Sequence, residues 1–168
     1  ASNNIKGGEM AADFLVQKLG EGAEVAELEG IPGASATRER GEGFHNIADN
    51  KLKVLAKQSA DFDRSKGLTV AENMIQANAG IKAIFAHNDE MALGAISAAK
   101  SANKNIMIVG FDGTEDGMKA VEDGDLVATI AQQPDKMGEM GVDAAVKLAK
   151  GESVEKNIAI DLKLVQKQ

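Results

Sequence analysis

Five side chains in this 168-residue sequence have the types and placement to hold a small polyhydroxylated molecule: Arg40, Phe62, Asn88, Asp112 and Gln132. A guanidinium donates two parallel hydrogen bonds, and a carboxylate accepts from two vicinal hydroxyls. The two amides do both, and an aromatic ring covers an apolar C–H face. Such a set is poor equipment for breaking bonds. What unites it is position. Arg40 falls on the helix after the first expected strand, and the other four fall just beyond the carboxyl ends of later strands, where open parallel sheets bind ligands. Each residue also has a plainer reading. Asp and Asn after a strand serve as turn formers or helix caps, a loop Phe is commonly core, and Gln132 taken alone carries no signal. The neighbouring Arg38 reads as part of a solvated helix face. Only the shared edge raises the group above these readings.

The elements that must position the five come from hydrophobic periodicity. Residues 4–19 place Met10, Phe14, Leu15 and Leu19 on one helical side, with Gly20 as a stop. The alternating run 23–29 predicts a strand. A loop over 30–35 follows, with Ser35 as the N-cap of a helix that carries Arg38, Arg40, Phe44 and Ile47. A second strand centres on 54–56, with an exit loop over 59–63. A helix over 64–77 then sets Leu68, Ala71 and Ile75 at core spacing.

Two short apolar runs, 81–86 and 106–110, flank a helical segment whose Ala92, Ala95, Ile96 and Ala99 suit close packing on a sheet. Runs of this length joined by a helix imply a parallel pair with a crossover. A short helix opens at Thr114 and ends at Asp123-Gly124. A fifth strand over 126–131 exits at Gln132, and Pro134 sits near the start of a helix reaching about residue 150, with Met137, Gly141, Ala144 and Leu148 on one side. A last alternating run spans 158–165. Strand and helix in strict turn predict an α/β fold built on a doubly wound parallel sheet with flanking helices.

Composition closes several alternatives. The chain is 43% apolar and 27% charged, as in an ordinary globular protein, and long enough for a sizeable core. A net charge of −7 argues against a phosphate-backbone partner, so no nucleic acid is expected. There is no cysteine, which removes disulfides, thiolate metal sites and thiol nucleophiles. No apolar run reaches the length of a membrane span. The beginning Ala1-Ser2-Asn3, without Met or a leader, reads as the interior of a longer protein.

The two histidines, His45 and His87, fit no nucleophile–base arrangement. His87-Asn88-Asp89-Glu90 looks like a metal cluster, but adjacent positions point apart. Gly30-Ile31-Pro32-Gly33 lacks the P-loop lysine and the dinucleotide spacing, so a tight turn is expected there. Met137 and Met140 read as packing surface.

The segments ELEGIPGASATRERGEGF, QSADFDRSKGL, FAHNDEMALGA, VGFDGTEDG and ATIAQQPD closely resemble the later portion of bacterial D-ribose-binding proteins. These are periplasmic solute receptors of ABC importers, related in fold to LacI-type repressor cores. The resemblance runs from Ala1 to Gln168. It implies a periplasmic-binding-protein type I lobe with no enzymatic role and no cofactor or metal. Its sugar contacts fall on Arg40 of RERG, Phe62 of ADFD, Asn88 of NDEMALGA, Asp112 of GFDG and Gln132 of TIAQ. The implied ligand is D-ribose or a similar furanose, the autoinducer signal included. The implied partners are the importer's membrane subunits, a chemoreceptor and a first lobe that is missing here, and the implied location is the periplasm.

By the same resemblance, residues 1–132 form the sugar-binding lobe. Residues 133–157 carry a helix belonging to the missing lobe, and 158–168 return as a final strand. The orphaned helix over 134–150 is then expected to dock elsewhere or to mediate self-association. Two other classes compete: the effector core of a LacI-type repressor, and an enzyme on a flavodoxin-like or response-regulator-like sheet with Asp112 as phosphoacceptor. The acidic cluster and lysine that the last would need are not evident.

Overall fold

The computed structural model describes residues 1–167. Twelve elements alternate along the chain: α1 (Asn4–Leu19), β1 (Glu24–Glu29), α2 (Ser35–Lys51), β2 (Lys53–Ser59), α3 (Arg64–Ala77), β3 (Ala83–Ala86), α4 (Asp89–Ser101), β4 (Met107–Asp112), α5 (Glu115–Asp123), β5 (Ala128–Ala131), α6 (Pro134–Ala149) and β6 (Lys163–Gln166). The six strands form one sheet in the order β2-β1-β3-β4-β5-β6. The first five run parallel, as expected, and β6 pairs antiparallel with β5 at the edge. The strand order reverses between β1 and β3, which makes the carboxyl ends of those two strands a topological switch point.

Side-chain alternation divides the core into two layers. Val25, Ala83, Phe85, Val109, Phe111, Ala128 and Ile130 face α1 and α2. Ala26, Leu28, Ile84, Ala86 and Ile108 face α3, α4 and α5. Both faces of the central strands are therefore covered, which is why β3 reads as an unbroken apolar run and is buried throughout.

On each face two helices come very close through glycine. A methyl at Gly8 of α1 would collide with the backbone of Arg40 and Phe44 in α2, and one at Gly43 of α2 would collide with Ile5 of α1. Across the sheet, Gly67 of α3 meets the backbone of Met91, and Gly94 of α4 meets that of Arg64 and Leu68. Periodicity located the apolar positions of these helices but not this reciprocal glycine contact.

Several expectations shift at element ends. Ser35 is the first helical residue of α2 rather than its cap; Ala34 holds the cap position without a side-chain bond. The Thr37 hydroxyl instead donates to the Ile31 carbonyl at 2.8 Å. Strand β4 extends to Asp112, so that residue closes a strand rather than following one. The final run is a strand only over Lys163–Gln166. Before it, Ile160 makes a single parallel bridge to Ser2, because its backbone pairs with the first residues of the chain. Gln168 lies outside the described residues.

The face expected on α6 is not buried. Pro134 starts the helix as predicted, but no residue of α6 is buried, and Val142 and Leu148 are 64% and 59% exposed. No helix among the described residues is long and apolar enough to cross a membrane.

Replacing Gly94 by alanine gives the contact a distinctive sign. In an isolated helix this change stabilises by about 1 kcal/mol, whereas here the methyl meets α3 backbone that cannot rotate away. The expected result is a loss of about 1–3 kcal/mol, the usual cost of overpacking, read from denaturant melts. A gain in stability would show that α3 and α4 separate freely.

Candidate functional site

The carboxyl edge of the sheet gathers the five residues into one connected group. Arg40 lies on α2 with 5% exposure, its guanidinium carbon 3.7 Å from the centroid of the Phe111 ring. Its Nε donates to Asn4 Oδ1 at 3.0 Å, and its Nη1 donates to the carbonyl oxygen of His87. The same nitrogen pairs with Asp112 Oδ1 at 3.1 Å. Gln132 Nε2 donates to that carboxylate oxygen at 2.7 Å, and Gln132 Oε1 accepts from the Ser2 hydroxyl at 2.6 Å.

Phe62 and Asn88 complete the group from the other side. The Phe62 ring lies 6.0 Å from the Arg40 guanidinium and rests on Gly30, where any side chain would collide with it. Asp61 and Phe62 both adopt left-handed backbone, with φ of 54° and 60°, an uncommon conformation for side chains of that size. This turn, closed by Ser59 donating to the Gly30 carbonyl at 2.7 Å, swings the ring over the edge. Phe62 is half-buried and packs partly on the α3–α4 core, so both readings of a loop Phe apply to it.

Asn88 caps α4: its Oδ1 accepts from the Met91 N–H at 2.9 Å, and its Nδ2 donates to the Phe62 carbonyl at 3.2 Å. The cap reading of this residue therefore holds as a structural fact. An amide has two donor hydrogens and two lone pairs, so the cap uses only part of its capacity.

Burial sets the electrostatics. It pushes the Asp112 carboxyl up to about 6, against the pull of Arg40 and Gln132 and with the help of nearby Asp89. It also lowers the Arg40 guanidinium, with Asp112 opposing. Each charge is the main compensation for the other in a place where neither is well solvated.

Sequence reasoning missed a second polar chain behind Arg40. Glu27, in the middle of β1, is fully buried and faces α2. Its Oε1 lies 2.8 Å from His87 Nε2, and its Oε2 lies 2.8 Å from His45 Nε2. His45 Nδ1 reaches Asp49 at 2.6 Å. A carboxylate only accepts, so both Nε2 atoms carry their protons. Burial alone would raise Glu27, but the bonds from His45 and His87 outweigh it and bring the carboxyl down to about 2. His45 is raised to about 9, chiefly by its bond to Glu27. The available signal was a carboxylate between Ala26 and Leu28 in a strand with both neighbours buried. Among the described residues no cluster of His, Asp or Glu is placed to hold a metal ion.

The comparisons agree on one kind of protein. The periplasmic binding protein domain model matches residues 1–153. The ribose import binding protein of Bacillus subtilis (strain 168) is 60% identical over 98% of this chain and 54% of its own length. That of Escherichia coli (strain K12) is 56% identical over the whole chain and 57% of its own length. This chain thus spans a little over half the length of the curated relatives it matches. Among solved structures, an ABC transporter periplasmic solute binding protein from Actinobacillus succinogenes 130z with bound D-allose superposes with a TM-score of 0.92 at 31% identity, covering 98% of this chain and 59% of the other. A galactofuranose binding protein gives 0.90 at 34%, covering 99% and 60%.

The Glu27–His45 pair gives stability a defined pH window. His45 is raised from 6.5 to about 9, so its contribution is complete below 6.5 and lost as pH rises through about 9. Glu27 is lowered from 4.5 to about 2, so its contribution is complete above 4.5 and lost as pH falls through about 2. His45→Gln should therefore lower the melting temperature most between pH 4.5 and 6.5, with the gap to the unmodified chain closing towards pH 10. A gap that stays constant across that range would show that charge at His45 contributes nothing.

Proposed function

We propose that this chain, which belongs to the periplasmic binding protein domain family, carries one half of a D-ribose site in a non-enzymatic receptor that delivers the sugar to a membrane ABC importer. The observation that carries this reading is the Arg40–Asp112–Gln132 group at the strand edge, with the Phe62 ring beside it. Asp112 accepts from vicinal hydroxyls, Arg40 and Gln132 donate, Asn88 contributes its spare donor and acceptor, and the ring covers an apolar sugar face. Nothing in the group is arranged to break a bond.

The names of the relatives support a sugar ligand. Ribose import binding proteins stand at 56–60% identity, and a D-allose-binding periplasmic protein of Escherichia coli (strain K12) at 38%. A related furanose is a second reading, favoured by the likeness to a galactofuranose binding protein. The implied setting is the periplasm, with the importer's membrane subunits and a chemoreceptor as partners of the closed receptor. Residues 1–132 form the sugar-binding lobe in this reading, 133–157 belong with the lobe that the rest of the relatives' length supplies, and 158–168 return to this one. The exposed Val142, Val146 and Leu148 of α6 then serve as a docking face. In the isolated chain that face pairs with a second copy.

Titration with D-ribose to millimolar concentration should shift the amide resonances near Arg40, Phe62, Asn88, Asp112 and Gln132. Because the proposed acceptor is the Asp112 carboxylate, the response should weaken as pH falls through about 6. Asp112→Asn should weaken binding by about 1.5–3 kcal/mol, the value of a hydrogen bond to a charged group, or roughly 10–150-fold. Shifts scattered away from this edge would sink the assignment of the site. Sedimentation equilibrium should show a concentration-dependent dimer that Val142→Asp abolishes; a monomer at all concentrations would remove the self-association.

A further inference from the structure

We propose that Asp89 is a positioning residue of this site, its buried carboxylate fixing the backbone that presents Asp112 and Gln132. The inference rests on the reading of the strand edge as a sugar site. Asp89 is fully buried at the start of α4, its carboxylate packed against Gly110 of β4 and Gly117 of α5. Its Oδ2 accepts from the Thr114 N–H at 2.8 Å and from the Thr114 hydroxyl at 3.0 Å. Its Oδ1 accepts from the Thr129 hydroxyl at 2.7 Å. One carboxylate thereby joins α4, the turn after β4, and β5.

Two glycines make room for it. A methyl at Gly110 of β4 or at Gly117 of α5 would collide with the Asp89 carboxylate. The space is thus specific to a short side chain in that orientation.

The residues so joined are those that need restraint. Asp112 has φ of 117° and Gly113 has φ of 73°. For a non-glycine residue the first value is strained and persists only where surrounding contacts over-determine it. Thr114, which Asp89 holds by both its amide and its hydroxyl, is the next residue along. That hydroxyl also accepts from the Gly117 N–H at 3.1 Å and so starts α5. On the far side, Thr129 lies three residues before Gln132, whose own N–H donates to the Asp112 carbonyl at 2.8 Å. Asp89 thus anchors the turn that follows the strained residue and the strand β5 that pairs with it.

No cation touches Asp89 among the described residues; its three bonds come from neutral donors. Burial raises its carboxyl, and these bonds pull it back. An uncompensated buried carboxylate is expensive to keep, which an apolar residue packed there would avoid. Its charge also reaches the site. Burial is the main cause that raises the Asp112 carboxyl; of the neighbouring side chains, Arg40 and Gln132 pull it down and Asp89 adds to the rise.

The test uses the whole chain with Asp89→Asn and Thr114→Ala, and with Gly94→Ala as a destabilised control. Three readouts are taken: the carbon-detected titration of the Asp112 carboxyl, the scalar coupling that reports φ at Asp112, and the ribose titration. In Asp89→Asn the Asp112 carboxyl should titrate lower, towards its ordinary 3.8. The coupling should move towards an averaged value and the dissociation constant should rise about tenfold, one decade being about 1.4 kcal/mol.

Thr114→Ala, which keeps the charge, should change the coupling and the affinity but hardly move the titration, and it decides the matter alone if Asp89→Asn does not fold. If these variants lose stability as Gly94→Ala does while the Asp112 coupling and titration stay in place, Asp89 is a packing residue and the proposal is overturned. If the unmodified chain ignores ribose, the sugar reading fails, while the coupling and titration still decide the role of Asp89.

Discussion

The buried guanidinium of Arg40 is the constraint on which the rest of this edge depends. A cation with 5% exposure must have its donors met from within the protein, and three different elements meet them: Asn4 of α1, the carbonyl that follows β3, and Asp112 at the end of β4. The ring of Phe111 closes one face. Removing Asp112 would leave the guanidinium charge uncompensated in a place with little water, a loss of about 3–5 kcal/mol for a buried pair. The close approach of α1 and α2 through Gly8 and Gly43 belongs to the same arrangement, because it brings Asn4 within reach of Arg40.

Two further carboxylates lie behind the edge, one on each face of the sheet, and their environments drive them apart. Glu27 faces α2 and is bonded by two histidines, one of them held protonated well above neutrality, so its charge is met by charge. Asp89, at the start of α4, faces the sheet and is bonded by hydroxyls and an amide, which orient without supplying charge. The first carboxyl is consequently lowered and the second raised. Glu27 also fixes His87, whose carbonyl receives Arg40, so the layer beneath the site reaches its cation through one residue.

Hydrophobic period revealed the alternation of strand and helix, and the rule for open sheets picked out the edge. Those two steps were enough to name Arg40, Phe62, Asn88, Asp112 and Gln132 before any contact was known. What stayed hidden lies in contacts between elements distant in sequence. Ser2 reaches the edge because the chain's first residues pair with Ile158 and Ile160, and Asn4 through the close approach of α1 and α2. Glu27 and Asp89 look like ordinary solvated acids until Glu27 is seen to face α2 and Asp89 to lie between its own helix and the sheet. The antiparallel direction of β6 was equally invisible, since the periodicity of a strand carries no sign of its direction. The apolar spacing of α6 identified a helix, but spacing reports that a face wants a partner and not whether the partner is present, and no residue of α6 is buried here.

That last point joins two oddities of this chain. A finished globular protein puts its charges outside and its apolar helix faces inside. Here Arg40 is buried at the sheet edge, while Val142, Val146 and Leu148 lie exposed along α6. Exposed apolar surface of this kind usually marks a face that another body covers. A polar group held rigid by its own neighbours before ligand arrives is what tight recognition needs, since ordering it at the moment of binding would subtract from affinity. On the proposed reading the two features answer the same requirement. The site residues are paired with one another, so the lobe keeps their geometry unaided, and α6 keeps an adhesive face because its packing is completed by a second body. The internal pairing of the site is then the reason that the edge can retain its shape in a chain spanning little more than half of its relatives.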